Sequence, residues 1–328
     1  MRIVGSAGAA CAGLALVACG GSAHPRASTT TRPAATTAAS STSSTPTPTT
    51  TTSVVAKPKP PPPPSYPRLL PAALGTAPTP SVRAVRWKAQ TVAWITRLPS
   101  GVAMMTFKQP QLELHLHSGT IDAGTLGWRY GPSIGGFELA RLVAAFNGGF
   151  RLSTGAGGFE SYGREAAPLS PGRASIVTYA DGSSNIGRWG QEVPAPRKRV
   201  VSVRQNLTLL IDHSTAAANL DCLDCWGSTL GGVADPARSA LGITAGGRLV
   251  WAGGEKLTVS ALASALLRAH AVRAAELDIN PEWVAGYFYG HRGGRGPLAP
   301  VPALPTQHGI PGDFLAPWSR DFFTIVAR

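Results

Sequence analysis

The sequence predicts an α+β fold: a mixed, mainly antiparallel sheet with two main helices, in a single domain. Three observations point there. Short apolar, β-branched runs separated by Gly, Pro and Asp turns fill residues 81–328. Two stretches carry apolar residues at helical spacing. This region of about 250 residues is enough for one large core and shows no internal repeat.

The elements are read in chain order. Thr91 to Leu98 and Val102 to Phe107 are partner strands around Pro99-Ser100-Gly101. Gln111 to His117 alternates, with Leu112, Leu114 and Leu116 on one face and Glu113, His115 and His117 on the other. The second face reads as a solvated strand surface, with zinc ligation the alternative. Phe137 to Phe146 is the first helix candidate, with Leu139, Leu142 and Val143 on one side. Strands follow at Ala174 to Tyr179, ending in an Asp181-Gly182 turn, and at Val200 to Ile211. Leu241 to Thr244 and Arg248 to Trp251 flank Ala245-Gly246-Gly247 as a hairpin. Thr258 caps the second helix, to about His270, whose buried stripe is Val259, Leu262, Leu266 and Ala269. Arg273 to Ile279, Trp283 to Tyr289 and Phe322 to Val326 complete the strands.

The N-terminus reads as an export signal over residues 1–18. Arg2 is followed by apolar or small residues, and Leu16-Val17-Ala18-Cys19 resembles a bacterial lipobox. On that reading Cys19 is lipidated and anchors the protein at the extracytoplasmic face of the cell membrane; the alternative is an ordinary secretory signal. Residues 19–80 form a disordered Ser/Thr/Pro-rich tether, too poor in large apolar residues to offset its ordering entropy. Residues 81–328 form the folded domain.

The net charge of +13 is unevenly placed. Before Glu113 there are 11 basic residues and no acids; from Glu113 onward there are 19 basic and 17 acidic. The main body is therefore nearly neutral, and nucleic acid is not an expected partner. A cationic tether suits anionic lipid heads or wall polymers. Of the four cysteines, Cys11 leaves with the signal and Cys19 takes the lipid. Cys222 and Cys225 remain, and outside the cytoplasm they read as a small-loop disulfide. A redox pair or a zinc site is the alternative, and neither has its usual context.

Ala144-Ala145-Phe146-Asn147-Gly148-Gly149-Phe150 runs an apolar stretch into a bare turn, where backbone N–H groups and the Asn147 amide can converge on a ligand. A helix C-cap is the plain alternative. Three later segments give the turn company: Arg204-Gln205-Asn206-Leu207, Arg238-Ser239-Ala240-Leu241-Gly242 and Glu276-Leu277-Asp278-Ile279-Asn280.

In this order, from about residue 90 to the C-terminus, the motifs resemble the phosphodiester glycosidase family. Its Asn-Gly-Gly-Phe-Phe turn is similar to Asn147 to Phe150, with Arg151 in place of the second Phe. Its Arg-Thr-Ala-hydrophobic-Gly strand resembles Arg238 to Gly242. A hairpin, a helix and an Asp-bearing strand follow as here, with Asp278 at the aspartate. The family continues with glycines and serine, whereas this chain reads Ile279-Asn280-Pro281-Glu282-Trp283.

The resemblance implies hydrolysis of a sugar-1-phosphodiester in cell-envelope glycan. Such a reaction needs carboxylates for the proton and the developing oxocarbenium ion, and cations or N–H groups for the phosphate. Asp278 and Glu282 are the candidate catalytic carboxylates. Asn147, Gly148, Gly149, Arg204, Arg238 and Asn280 are the candidate substrate-binding residues. No cofactor is expected. Asp278, Asn280 and Glu282 would also suit a divalent cation such as calcium. Plainer roles are a turn cap for Asp278, a buried-acid partner for Arg238 and a solvated rim position for Glu282. The alternative functions are a non-catalytic lipoprotein that binds envelope glycan on the same fold, and a structural lipoprotein that matters through its tether.

Overall fold

Alternation of β-branched residues with turn residues is carried through almost the whole described chain. The computed structural model describes residues 65–125 and 127–328, all within one compact unit, Pro61–Arg328. Among them are nineteen strands and two α-helices, the four-residue Pro71–Leu74 and the ten-residue Val259–Arg268. The fold is thus mostly β, which overturns the expected α+β class with two main helices. The lipobox and Cys19 lie outside the described residues, as does most of the tether. The ordered sheet begins before residue 81, because Arg68–Leu69 pairs with both Thr79–Trp87 and Gly286–Arg292.

Fourteen strands form one sheet and five a second. Across the larger sheet the order is Thr215–Ala216, Leu209–Asp212, Ala271–Glu276, Arg238–Thr244, Leu249–Gly254, Ala103–Phe107, Gln90–Arg97, Thr79–Trp87, Arg68–Leu69, Gly286–Arg292, Leu142–Asn147, Phe322–Ala327, Leu112–His117, with Leu298–Pro302 also paired to Gly286–Arg292. Arg68–Leu69 runs parallel to Gly286–Arg292, and the other strand pairs are antiparallel. Phe159, Ala174, Ile176 and Ile186 of the smaller sheet share one core cluster with Leu112, Leu114, Leu116, Phe146 and Phe288 of the larger.

The expected helix over 137–146 is the main error. It is a short 3-10 turn, Gly136–Glu138, followed by the strand Leu142–Asn147. All six residues of that strand are buried between neighbours on both sides. Such a strand reads as a continuous apolar run, which periodicity cannot tell from a buried helix. The expected strand Val200 to Ile211 is two strands, Val200–Gln205 in the small sheet and Leu209–Asp212 in the large one. The chain changes sheet at Leu207, whose φ is 47°.

The second helix forms as expected. Thr258 Oγ1 accepts from the Ala261 N–H at 3.1 Å. Val259, Leu262 and Leu266 pack on Met104, Val250 and Ala252. Cys222 and Cys225 are joined by a disulfide. The His115 and His117 face is not solvated. Both rings are buried on Glu138, with His115 Nδ1 2.8 Å from Oε1 and His117 Nε2 3.2 Å from Oε2. Burial raises the Glu138 carboxyl, but the hydrogen bonds to the two histidines outweigh it and hold the group at about 2.

Candidate active site

The site gathers where several strands of the large sheet end. Asn147 closes Leu142–Asn147 and pairs in register with Phe322. Ser239 lies in Arg238–Thr244, and its carbonyl accepts from the Leu277 N–H at 2.9 Å. The Asp278 N–H donates to the Gly148 carbonyl at 2.9 Å. Thus Asn147, Gly148 and Asp278, 130 residues apart in sequence, meet through main-chain bonds.

The Asn147 amide is spent inside the protein. Its Nδ2 donates to Ser239 Oγ at 2.9 Å, and its Oδ1 accepts from the Ala285 N–H at 3.3 Å. The glycines serve a buried ion pair. Arg204 Nε and Nη2 donate to Asp321 Oδ2 and Oδ1 at 2.9 and 3.0 Å, with both side chains fully buried. The Gly149 N–H donates to the same carboxylate at 3.1 Å. A Cβ on Gly148 would lie 2.0 Å from Asp321 Oδ2, and one on Gly149 2.6 Å from Arg204 Cζ. Any side chain there would drive the pair apart. The turn is therefore shaped around an internal anion, not an open helix cap or a bare ligand cradle.

Arg238 is likewise internal. Its Nη1 donates to Glu276 Oε1 at 2.8 Å and to the Trp226 carbonyl at 3.0 Å, and its Nε donates to the Leu257 carbonyl at 3.1 Å. Burial pushes Glu276 up to about 8 against the pull of Arg238. Neither Arg204 nor Arg238 presents a donor to solvent, so the expected phosphate clamp is corrected: both partner buried acids. Asn206 ties the two halves together, accepting from the Phe150 N–H at 3.1 Å and donating to the Glu276 carbonyl at 2.5 Å.

Asp278 differs from its neighbours. Its Oδ1 accepts from the Ile279 N–H at 3.0 Å. Its Oδ2 lies 2.6 Å from Arg320 Nη2 but accepts no well-aligned hydrogen bond. Arg320 Nε donates instead to Asp122 Oδ2, whose Oδ1 accepts from the Leu152 N–H at 3.2 Å. Three carboxylates, Asp122, Asp278 and Asp321, thus share two guanidinium groups, Arg204 and Arg320. Low dielectric disfavours the uncompensated charge, so a proton belongs on the least satisfied acid. That acid is Asp278: burial pushes it up to about 7, partly countered by Arg320.

The turn Pro281–Trp283 places Glu282 exposed at the surface. Asn280 starts this turn with φ 77°, and its carbonyl accepts from the Trp283 N–H at 3.1 Å. The extended segment expected to align Asp278, Asn280 and Glu282 is not formed. Among the described residues, no group of three His, Cys, Asp or Glu side chains is disposed to hold a metal ion. The half-buried Trp283 ring lies 4.8 Å from the Arg320 guanidinium and 5.6 Å from that of exposed Arg151. Trp318 packs edge-on against Trp283 at 6.3 Å. Sequence reasoning missed Asp122, Ser239, Arg320 and Asp321. One signal was available: Arg320-Asp321 stands as a charged pair directly before the apolar strand Phe322–Ala327.

No family model and no curated protein matches the sequence. Solved structures similar to this chain include the following three. One is the zebrafish N-acetylglucosamine-1-phosphodiester alpha-N-acetylglucosaminidase catalytic domain auto-inhibited by its pro-peptide, at 15% identity and TM-score 0.44, covering 76% of this chain and 81% of that one. A hypothetical protein from Synechocystis follows at 13% and 0.36, covering 72% and 60%. A protein described as exported, from Burkholderia pseudomallei K96243, stands at 12% and 0.33, covering 74% and 77%. The likeness is distant, of fold alone, and carries no argument about the site. No helix among the described residues is long and apolar enough to cross a membrane.

Proposed function

We propose that this protein is an exported, lipid-anchored hydrolase that cleaves a sugar-1-phosphodiester linkage in cell-envelope glycan, with Asp278 as the acid. What carries this reading is the Asp278 carboxyl, incompletely hydrogen-bonded and raised to about 7 in a cluster with one acid too many. A carboxyl protonated near neutral pH is what a leaving oxygen requires. Asp278 gives its proton to the bridging oxygen as the anomeric C–O bond breaks. Water adds to the anomeric carbon and loses its proton to Glu282, on the exposed turn. The exposed Arg151 meets the phosphate, in place of the buried Arg204 and Arg238, while Arg320 stays with Asp122 and Asp278.

One observation favours a second reading, glycan binding without turnover: Asp278 is 4% exposed and lies under Arg320. Incubation of the purified protein with isolated wall fractions separates the two. Sugar and phosphate released into solution, read by mass spectrometry and lost in Asp278→Asn, support the hydrolase. Retention on the glycan with no release from pH 5 to 8, with or without added calcium, supports the binder.

A further inference from the structure

Away from Asp278, the sheet carries a cleft of about 850 Å³ where the C-terminal end of helix Val259–Arg268 stops covering it. The volume is that of a ligand site. Its floor and walls come from Thr79–Trp87, Gln90–Arg97, Ala103–Phe107 and the Thr244–Arg248 turn. Not one of these segments contains Asp or Glu, and neither does the helix. Three exposed cationic or titratable side chains ring it: Arg248, Arg268 and His270. Neither arginine is ion-paired among the described residues. Arg268 stands in the last helical turn, where it also offsets the negative end of the helix dipole. Arg97 lines the cleft too, but its guanidinium is turned to the Ala72 and Ala73 carbonyls and is not counted.

The cleft continues sideways. A second hollow of about 460 Å³ shares Ser81 with it and adds Arg83 and Trp94, again without an acid. Arg248 sits 4.9 Å over the Trp94 ring, between the two hollows. Positive groups therefore line two adjoining hollows instead of one closed pocket. A compact anion would leave most of them unused, whereas a chain of regularly spaced anions would not. The walls otherwise offer prolines, threonines, small and aliphatic side chains and, besides His270, one aromatic ring, Trp94, already covered by Arg248. Bases would find little to stack on.

We propose that this groove binds a linear, phosphate-bearing polymer without aromatic bases, across Arg248 and Arg268. The proposal does not depend on the role of Asp278. The probe is fluorescently labelled inorganic polyphosphate, titrated with the purified chain and read by fluorescence polarisation. Arg248→Glu and Arg268→Glu should each weaken binding about tenfold, and the double variant further. Arg295→Glu, an exposed position outside the groove, carries the same change of net charge and should alter binding less than twofold. Equal losses in all three single variants would reduce the effect to net charge and overturn the proposal. So would tighter binding of a single-stranded oligonucleotide of matched charge. Binding to vesicles containing phosphatidylglycerol, with none to polyphosphate, would assign the groove to lipid headgroups and overturn the polymer.

Discussion

Replacing Asp321 by Asn tests whether Arg204 is a strut or a ligand clamp. The substitution keeps the volume but removes the charge that Arg204 Nε and Nη2 meet at 2.9 and 3.0 Å. It also offers the Gly149 N–H a poorer acceptor. Both partners are fully buried, so no water replaces the lost carboxylate. Breaking such a pair from one side costs about 3–5 kcal/mol, because a desolvated cation is left behind. At about 2–4 °C per kcal/mol for a domain of this size, the melting temperature should fall by roughly 6–20 °C. Differential scanning calorimetry of the purified protein reads this directly. Gly148→Ala should give a similar fall by another route, since its Cβ would press on Asp321 Oδ2 and on the Asp321 carbonyl at 2.6 Å. A fall below about 2 °C in Asp321→Asn, together with lost glycan binding, would refute the structural assignment and return Arg204 to the ligand.

Other outcomes follow from the same network. Asp278 is raised from 3.8 to about 7, so the folded state holds its proton longer than the unfolded. Its stabilising contribution is complete below about pH 4 and is lost as pH rises through about 7, with a slope of at most about 1.4 kcal/mol per unit. Asp278→Asn should reduce the slope seen in urea unfolding, leaving the part that Glu276, raised to about 8, contributes; an unchanged slope counts against a raised Asp278 carboxyl. Glu138→Gln leaves His115, His117 and Thr324 with a weaker acceptor and should cost about 1.5–3 kcal/mol in the same assay at pH 7. Glu138 itself, held at about 2, contributes above the usual carboxylate range and loses that contribution as pH falls through about 2. Reducing Cys222–Cys225 opens a short loop with a sequence separation of 3 and should cost about 2 kcal/mol; a loss of cooperative unfolding would contradict so local a role.

The sequence displayed its strands where only one face is buried or where turns intervene. Leu112, Leu114 and Leu116 alternate because the facing residues have other partners, and the Thr258 cap declares its helix. Leu142–Asn147 was illegible for a physical reason: burial on both faces erases the period of two. The histidine face of Leu112–His117 misled for a related reason. Alternation of polar and apolar residues marks two environments, but it does not say that the polar one is water. Here Glu138, from a 3-10 turn twenty-one residues past His117, supplies the second environment.

The candidate site shows what residue types can and cannot announce. Asn147-Gly148-Gly149 and Arg204 were legible as a unit because glycines and an arginine at such points rarely lack a reason. The reason itself was hidden, since Asp321 arrives from just before the last strand, at the far end of the chain. Sequence gives the cation and the bare turn but not the anion between them, so a buried pair and a phosphate cradle look alike. The discriminating quantity is the balance of charge inside the cluster. Arg204 is matched by Asp321, and Arg238 by Glu276. Arg320 must divide itself between Asp122 and Asp278. Among the three carboxylates around Arg204 and Arg320, Asp278 is thus the one left short, and a group short of partners in a low dielectric is able to exchange a proton with something brought to it.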